Sequence, residues 1–137
     1  MKVKILGCHG GVAPGYRTSS YLINDEFLID AGSSASALTP MRQRQIQDIF
    51  ITHAHIDHIK DICFLIDNTF YDDRPVLHLR STPVILENIH KHLFNDILWP
   101  DFSKIYVDKS QSKALLDFIP IDKEITFAGL KISQWPM

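Results

Sequence analysis

Several scarcities narrow what this 137-residue chain can be. Its two cysteines, Cys8 and Cys63, are too few for the disulfide framework of a small secreted scaffold. Cys63 sits at an apolar position of an expected helix and reads as core. No apolar run approaches the roughly 20 residues of a membrane-spanning helix. The opening Met1-Lys2-Val3-Lys4-Ile5-Leu6-Gly7 is too short and too polar for a secretory leader, and reads as a first strand. A formal net charge of −2 and a pI near 6.4 leave no basic excess of the kind a general nucleic-acid binder carries. Repeats, linkers and low-complexity tracts are also missing. The expectation is one soluble domain over residues 1–137, cytoplasmic, long enough to bury a core.

The residues that are present alternate between strand and helix signals. Val3 to Leu6 reads as a strand running into the glycine-rich Gly7-Cys8-His9-Gly10-Gly11, and Pro14-Gly15 marks a turn in the loop beyond. Ser19 to Asn24 and Phe27 to Asp30 read as a hairpin, followed by a Ser-rich loop. Pro40 to Gln47 gives a weak helix and Ile49 to Thr52 a buried strand. From Ile59 the apolar positions Ile62, Cys63, Ile66 and Phe70 follow helical spacing. Pro75 to Leu79 reads as a strand, and Thr82-Pro83 opens a helix with a capping hydroxyl and Pro at its first position, turning Leu86, Ile89 and Leu93 inward. Leu115 to Ile121, Ile125 to Phe127 and Leu130 to Ser133 read as short strands. Strands and helices mix without strict alternation, which predicts an α+β fold with helices covering sheet faces.

The chemistry is concentrated in His53-Ala54-His55-Ile56-Asp57-His58. Three imidazoles and a carboxylate fall between the end of an apolar strand and the start of an apolar helix, the junction where open α/β sheets place ligands. His53 and His55 are two apart, so an extended backbone turns both to one face. Asp57 lies in the first helical turn, where the dipole favours a carboxylate even without metal. Neutral imidazole with carboxylate is the donor set of catalytic zinc and its first-row neighbours, and the stretch reads as half of a dinuclear site.

With Asp30-Ala31-Gly32 upstream, this motif resembles that of the metallo-β-lactamase superfamily of dinuclear metal hydrolases. The stretches Leu6 to Gly11, Arg17 to Leu22 and His92 to Phe102 make the chain most similar to its bacterial cyclic-nucleotide phosphodiesterase-like group. The likeness runs over nearly the whole chain. It implies an αββα sandwich of two similar halves, of which the sequence displays mainly the first. It also implies that His53 and His55 hold a first ion, Asp57 and His58 a second, and that Asp30 orients ligands. Asp30 has an equally simple reading as a carboxylate capping the turn before Gly32. The implied cofactors are two divalent ions, zinc first, with manganese or iron as alternatives. The implied substrate is a small phosphodiester, a 3′,5′-cyclic nucleotide, attacked by a metal-activated water, with Asp57 also handling a proton.

Two departures stand out. Asp61 occupies a position where that group usually has a small residue. The third His, bridging Asp and last His that family members supply further on do not appear before the chain reaches Ser133-Gln134-Trp135-Pro136-Met137, so the chain reads as an N-terminal portion. Among the remaining histidines, His78 falls in a strand and His90 and His92 on a helix, in core or solvent roles. His9, in the glycine loop, has the best remaining claim on the site. Arg17, Thr18 and Ser19 are placed to meet a phosphate or simply to form a polar strand edge. The alternatives kept open are an RNA-processing endonuclease of the same superfamily, a truncated and inactive metal-binding module, and a homodimer that supplies ligands in trans.

Overall fold

The computed structural model describes residues 1–70, 75–106, 110 and 112–134. The chain begins with a three-stranded antiparallel meander, β1 (Val3–Gly7), β2 (Ser20–Ile23) and β3 (Phe27–Ala31). Asn24 and Asp25 turn the expected hairpin with φ of 51° and 61°, and the Glu26 amide donates to the Ile23 carbonyl. Asn and Asp tolerate that left-handed conformation better than other side chains, which is the physical content of the turn signal. Two short helices follow, α1 (Ser34–Ala37) and α2 (Pro40–Gln45). Next come β4 (Asp48–Phe50), α3 (Ile56–Ile59), α4 (Asp61–Asn68), β5 (Leu77–Ser81), α5 (Pro83–His92) and β6 (Leu116–Pro120). Strands β3 to β6 pair in parallel, so the sheet runs β1-β2-β3-β4-β5-β6 and changes from antiparallel to parallel at β3. A separate hairpin, β7 (Glu124–Phe127) and β8 (Leu130–Ser133), turns through Ala128 and Gly129.

Strand alternation sorts the core into two. Leu28, Ile49, Ile51, Leu77 and Leu79 face the helices and pack with Ile59, Ile62, Cys63, Leu65, Ile66, Leu86 and Ile89. Their neighbours Phe27 and Phe50 point to the other face, where they meet Ile125, Phe127, Leu130 and Ile132 of the β7–β8 hairpin. Phe27, Phe50 and Phe127 form an edge-to-face triangle with centroids 5.2 to 5.3 Å apart. Each such pair contributes about 1 kcal/mol beyond its buried area. The Arg80 guanidinium lies 5.1 Å over Phe127 while its Nε donates to Asp48 at 2.6 Å. The hairpin covers only part of this face: on β1, Val3 and Ile5 stay 48% and 63% exposed. Helices cover one face of the sheet, as the expected α+β packing requires, while the β7–β8 hairpin rather than a helix lies on the other.

Several expectations need correction. The strand before the His cluster ends at Phe50 rather than Thr52, although the Ile51 amide still donates to the Arg80 carbonyl. The following helix opens at Ile56, with Asp57 in its first turn as expected, but divides at Lys60 into α3 and α4 and ends at Asn68. The Thr69 hydroxyl donates back to the Leu65 carbonyl there, and Phe70, expected on the apolar face, is 55% exposed. Strand β5 is shifted two residues toward the C-terminus, helix α2 stops two residues short, and α1 occupies the stretch expected to be loop. Thr82 has the extended backbone of an N-cap but its hydroxyl makes no capping bond.

Cys63 is buried on α4, and burial pushes its thiol up to about 12, with the Asp67 charge adding to the effect. Cys8 is exposed. Thiol labelling near pH 8 is therefore expected to modify Cys8 alone in the native protein and both cysteines in denaturant. Mass spectrometry of the labelled peptides checks this, and equal native labelling of both would contradict the buried position of Cys63.

Candidate metal centre

The C-terminal ends of the parallel strands converge on one edge of the sheet. Asp30 is the last residue but one of β3, Thr52 and His53 follow β4, and Ser81 ends β5. Asp30 adopts a left-handed φ of 56°, an uncommon conformation outside glycine. That backbone goes with a carboxylate, 2% exposed, bonded across to the next strand rather than to its own turn. It accepts the Thr52 amide at 2.9 Å and the Thr52 hydroxyl at 2.8 and 3.0 Å, and meets His58 Nδ1 at 2.7 Å. The Thr52 hydroxyl also lies 3.0 Å from His53 Nδ1. Thr52 therefore ties Asp30 to His53. It was missed in the sequence, where it reads as the last residue of an apolar strand.

The three imidazoles pack together. His53 lies between His55, at 4.6 Å between ring centroids, and His58, at 3.9 Å. His58 Nε2 is 3.5 Å from Asp57 Oδ2. Partial burial lowers the His53 pKa, and the neighbouring His58 and His55 lower it further. A depressed pKa keeps the ring neutral at pH 7, the form that donates a lone pair to a metal. Two close approaches hold Asp57 from behind. A Cβ on Gly32 would lie 1.9 Å from the Asp57 carbonyl oxygen, and one on Gly10 would lie 4.0 Å from Asp57 Oδ2. The glycine-rich loop and the β3–α1 turn thus both abut this residue.

The donors suit a divalent ion. His58 and His53 use Nδ1 on Asp30 and Thr52, which leaves Nε2 of each ring for coordination, the usual arrangement of a metal-binding histidine. The set is partial as it stands: among the described residues no three His, Cys, Asp or Glu side chains are grouped so as to hold an ion by themselves. Residues 135–137, at the end of the chain, lie outside the described residues. Gln134, just before them, donates to the carbonyls of Ile51 and Thr52 and to the Ser81 hydroxyl, so the end of β8 is fastened beside His53.

The remaining candidates go elsewhere. His9 packs edge-to-face on Tyr16 at 4.5 Å and makes no described contact with the four donors. His78 on β5 lies 3.4 Å from Asp48. His92 is exposed, while His90 stacks on Phe118 and reaches Asp101 at 2.9 Å. Asp101 is buried, which alone would raise its pKa, but bonds from Lys104, Ser103 and His90 outweigh burial and hold it below the usual carboxylate range. Asp61 adds no charge to the centre: its carboxylate accepts the Ala35 and Ser36 amides at the start of α1 and the Lys60 ammonium. Thr18 is buried, donating to the Gly32 carbonyl at 2.6 Å and lying 2.9 Å from the Ser33 hydroxyl, so it is not free to meet a phosphate.

Comparison with known proteins agrees with this architecture. Residues 16–127 match the family of cAMP phosphodiesterases class-II. The chain belongs to that family. A 3′,5′-cyclic-nucleotide phosphodiesterase of Schizosaccharomyces pombe is 29% identical over 86 residues, which are 63% of this chain and 24% of that protein. The crystal structure of unliganded yeast PDE1 superimposes with a TM-score of 0.70 at 17% identity, over 91% of this chain and 51% of that one. The metallo-beta-lactamase fold protein YhfI of Bacillus subtilis gives 0.65 at 24% identity, over 96% of this chain and 50% of that one. The fold is therefore that of the metallo-β-lactamase superfamily. This class-II family chain spans about a quarter of the S. pombe relative and half of each of the two solved structures. Among the described residues no helix is long and apolar enough to cross a membrane.

Proposed function

We propose that this chain carries the first four ligands of a dinuclear metal centre in a phosphodiesterase that hydrolyses 3′,5′-cyclic nucleotides. The family match over residues 16–127 carries the reading, and the packing of His53, His55, Asp57 and His58 between β4 and α3 supports it. His53 and His55 take one ion and Asp57 and His58 the other, zinc first among manganese and iron. Divalent ions held by these side chains would supply the positive charge that makes water acidic near neutral pH and that offsets the charge of a phosphoryl group. Asp30 and Thr52 hold the Nδ1 edges of His58 and His53, fixing each ring's tautomer and direction. Asp57, a quarter exposed, is open to solvent and suited to pass a proton. Ligands missing from this set come from further sequence or from a second copy.

The test starts with elemental mass spectrometry on the gel-filtered protein, then hydrolysis of cyclic AMP and bis(p-nitrophenyl) phosphate after loading with zinc or manganese. Near two ions per chain and turnover of the cyclic nucleotide support the reading. A metal-loaded protein that has its complete ligand set and still leaves both substrates untouched defeats it. Preferential cleavage of a precursor tRNA would instead favour the endonuclease alternative.

A further inference from the structure

A cavity of about 530 Å³ lies between β1, the loop after it and the start of α1, lined in part by Cys8, His9, Val12, Tyr16, Arg17 and Ser36. We infer that this cavity is a nucleoside subsite, in which the Tyr16–His9 pair stacks on the base and Arg17 supplies a polar contact. The inference takes its ligand class from the phosphodiesterase reading and adds a place for the part of the substrate that does not react.

Position comes first. Gly10 belongs to the loop that borders this cavity, and a Cβ there would be 4.0 Å from Asp57 Oδ2. His9 lines the cavity and Gly10 follows it, so the cavity wall is one residue from the backbone that passes the Asp57 carboxylate, and a nucleotide whose phosphate met an ion held by Asp57 would have this loop beside it. The volume falls inside the roughly 300–1,000 Å³ typical of small-molecule sites.

The loop is also ordered in advance. The amides of Cys8 and His9 both donate to the Arg17 carbonyl, at 3.0 and 2.9 Å, and Tyr16 N–H closes a turn on the Ala13 carbonyl at 2.8 Å. Gly15 takes φ of 81° in that turn. A Cβ on Gly7 would lie 2.2 Å from the Thr18 carbonyl oxygen, so the two ends of the loop run in close contact. Ordering the loop before binding reduces the entropy lost on association.

The chemistry of the wall suits a base. Tyr16 is 53% exposed while in T-shaped contact with the His9 ring, so an aromatic side chain is both braced and accessible to solvent. Exposed aromatic faces beside cations are the common means of gripping unpaired bases. Among the described residues Arg17 forms no ion pair, unlike Arg80, and its guanidinium is exposed. Thr18 next to it is committed to Gly32 and Ser33, so of the three polar residues 17–19 only the Arg17 head combines charge with exposure.

Adenosine and guanosine, which carry no phosphate, are titrated into the metal-free protein and followed by amide chemical shifts in NMR. Saturable shifts centred on residues 8–17 and Ser36, weakened roughly tenfold or more by Tyr16→Ala and less by Tyr16→Phe, are expected. Shifts centred elsewhere, no saturable binding by either nucleoside, or a Tyr16→Ala variant that binds as tightly as the parent would overturn the inference. In the metal-loaded enzyme, Tyr16→Ala and Arg17→Ala should raise KM for cyclic AMP about tenfold while changing KM for bis(p-nitrophenyl) phosphate little. Equal effects on both substrates count against the subsite and leave the phosphodiesterase reading standing. Failure of the protein with its complete ligand set to hydrolyse either substrate defeats that reading, and the nucleoside titration then still decides this one.

Discussion

Asp57→Asn is expected to cut phosphodiester hydrolysis by the metal-loaded protein on the order of 10³-fold while leaving its melting temperature within a few degrees. The side chain is 25% exposed, and its one described ion pair is a 3.5 Å approach to His58 Nε2. Little folding free energy is stored there, and substitutions at such positions usually change stability by about 0.5 kcal/mol or less. The amide keeps the shape but loses the charge that draws an ion and the basicity that accepts a proton. Asp30→Asn should behave in the opposite proportion. It is buried and bonded to Thr52 and His58, so losing its charge costs roughly 1–3 kcal/mol of stability. Metal affinity should fall about 10- to 100-fold, as is usual when the group behind a ligand is lost. Calorimetric metal titration and thermal melts of the two variants separate these patterns. An Asp57→Asn protein retaining more than about a tenth of the parent rate would remove Asp57 from the reaction.

The second large effect is expected at a residue with no side chain. Gly32→Ala should destabilise the fold by about 3 kcal/mol and disturb the metal centre with it. Its Cβ would stand 1.9 Å from the Asp57 carbonyl oxygen and 2.8 Å from both the Ser19 carbonyl oxygen and the Thr18 hydroxyl. The closest of these atoms belong to backbone, so no rotamer change relieves the clash; either the β3–α1 turn or the first turn of α3 must move. A drop of roughly 10 °C in melting temperature corresponds to such a cost for a chain of this size. Gly11→Ala is the matched control, because its Cβ would meet nothing within 4 Å. Equal melting temperatures for the two variants would show that the turn yields without strain.

Much of the fold was legible because burial imposes period. The continuous apolar run Phe27 to Ile29 follows from a strand covered on both faces, and the 3.6-residue spacing from Ile59 to Ile66 from a helix with one dry face. The errors fall where a polar side chain bonds back to the main chain. Phe70 continues the apolar spacing, but Thr69 ends the helix by bonding to Leu65, and periodicity carries no trace of that competition. Ser81 extends β5 beyond the apolar run because its buried hydroxyl donates to the Ile51 carbonyl. The four donors were legible because they lie within six residues. Thr52 was not, since its role depends on Asp30, 22 positions earlier, arriving from the neighbouring strand. Asp61 could not be told from a site acid by spacing alone; only the α1 amides show that it serves the turn behind the centre.

The junction of antiparallel and parallel pairing at β3 has a consequence for the order of assembly. Strands β2 and β3 close through the short turn at Asn24 to Glu26 and β1 joins them across the loop of residues 8–19, whereas β3 meets β4 only after a crossover that brings Leu28 opposite Ile49. Asp30 arrives with the first unit and His58 with the second. A folding intermediate holding only the meander therefore has a carboxylate without its imidazole, and one holding only β4 and α3 has imidazoles free to rotate. Alignment of the donors therefore requires closure of the first parallel crossover.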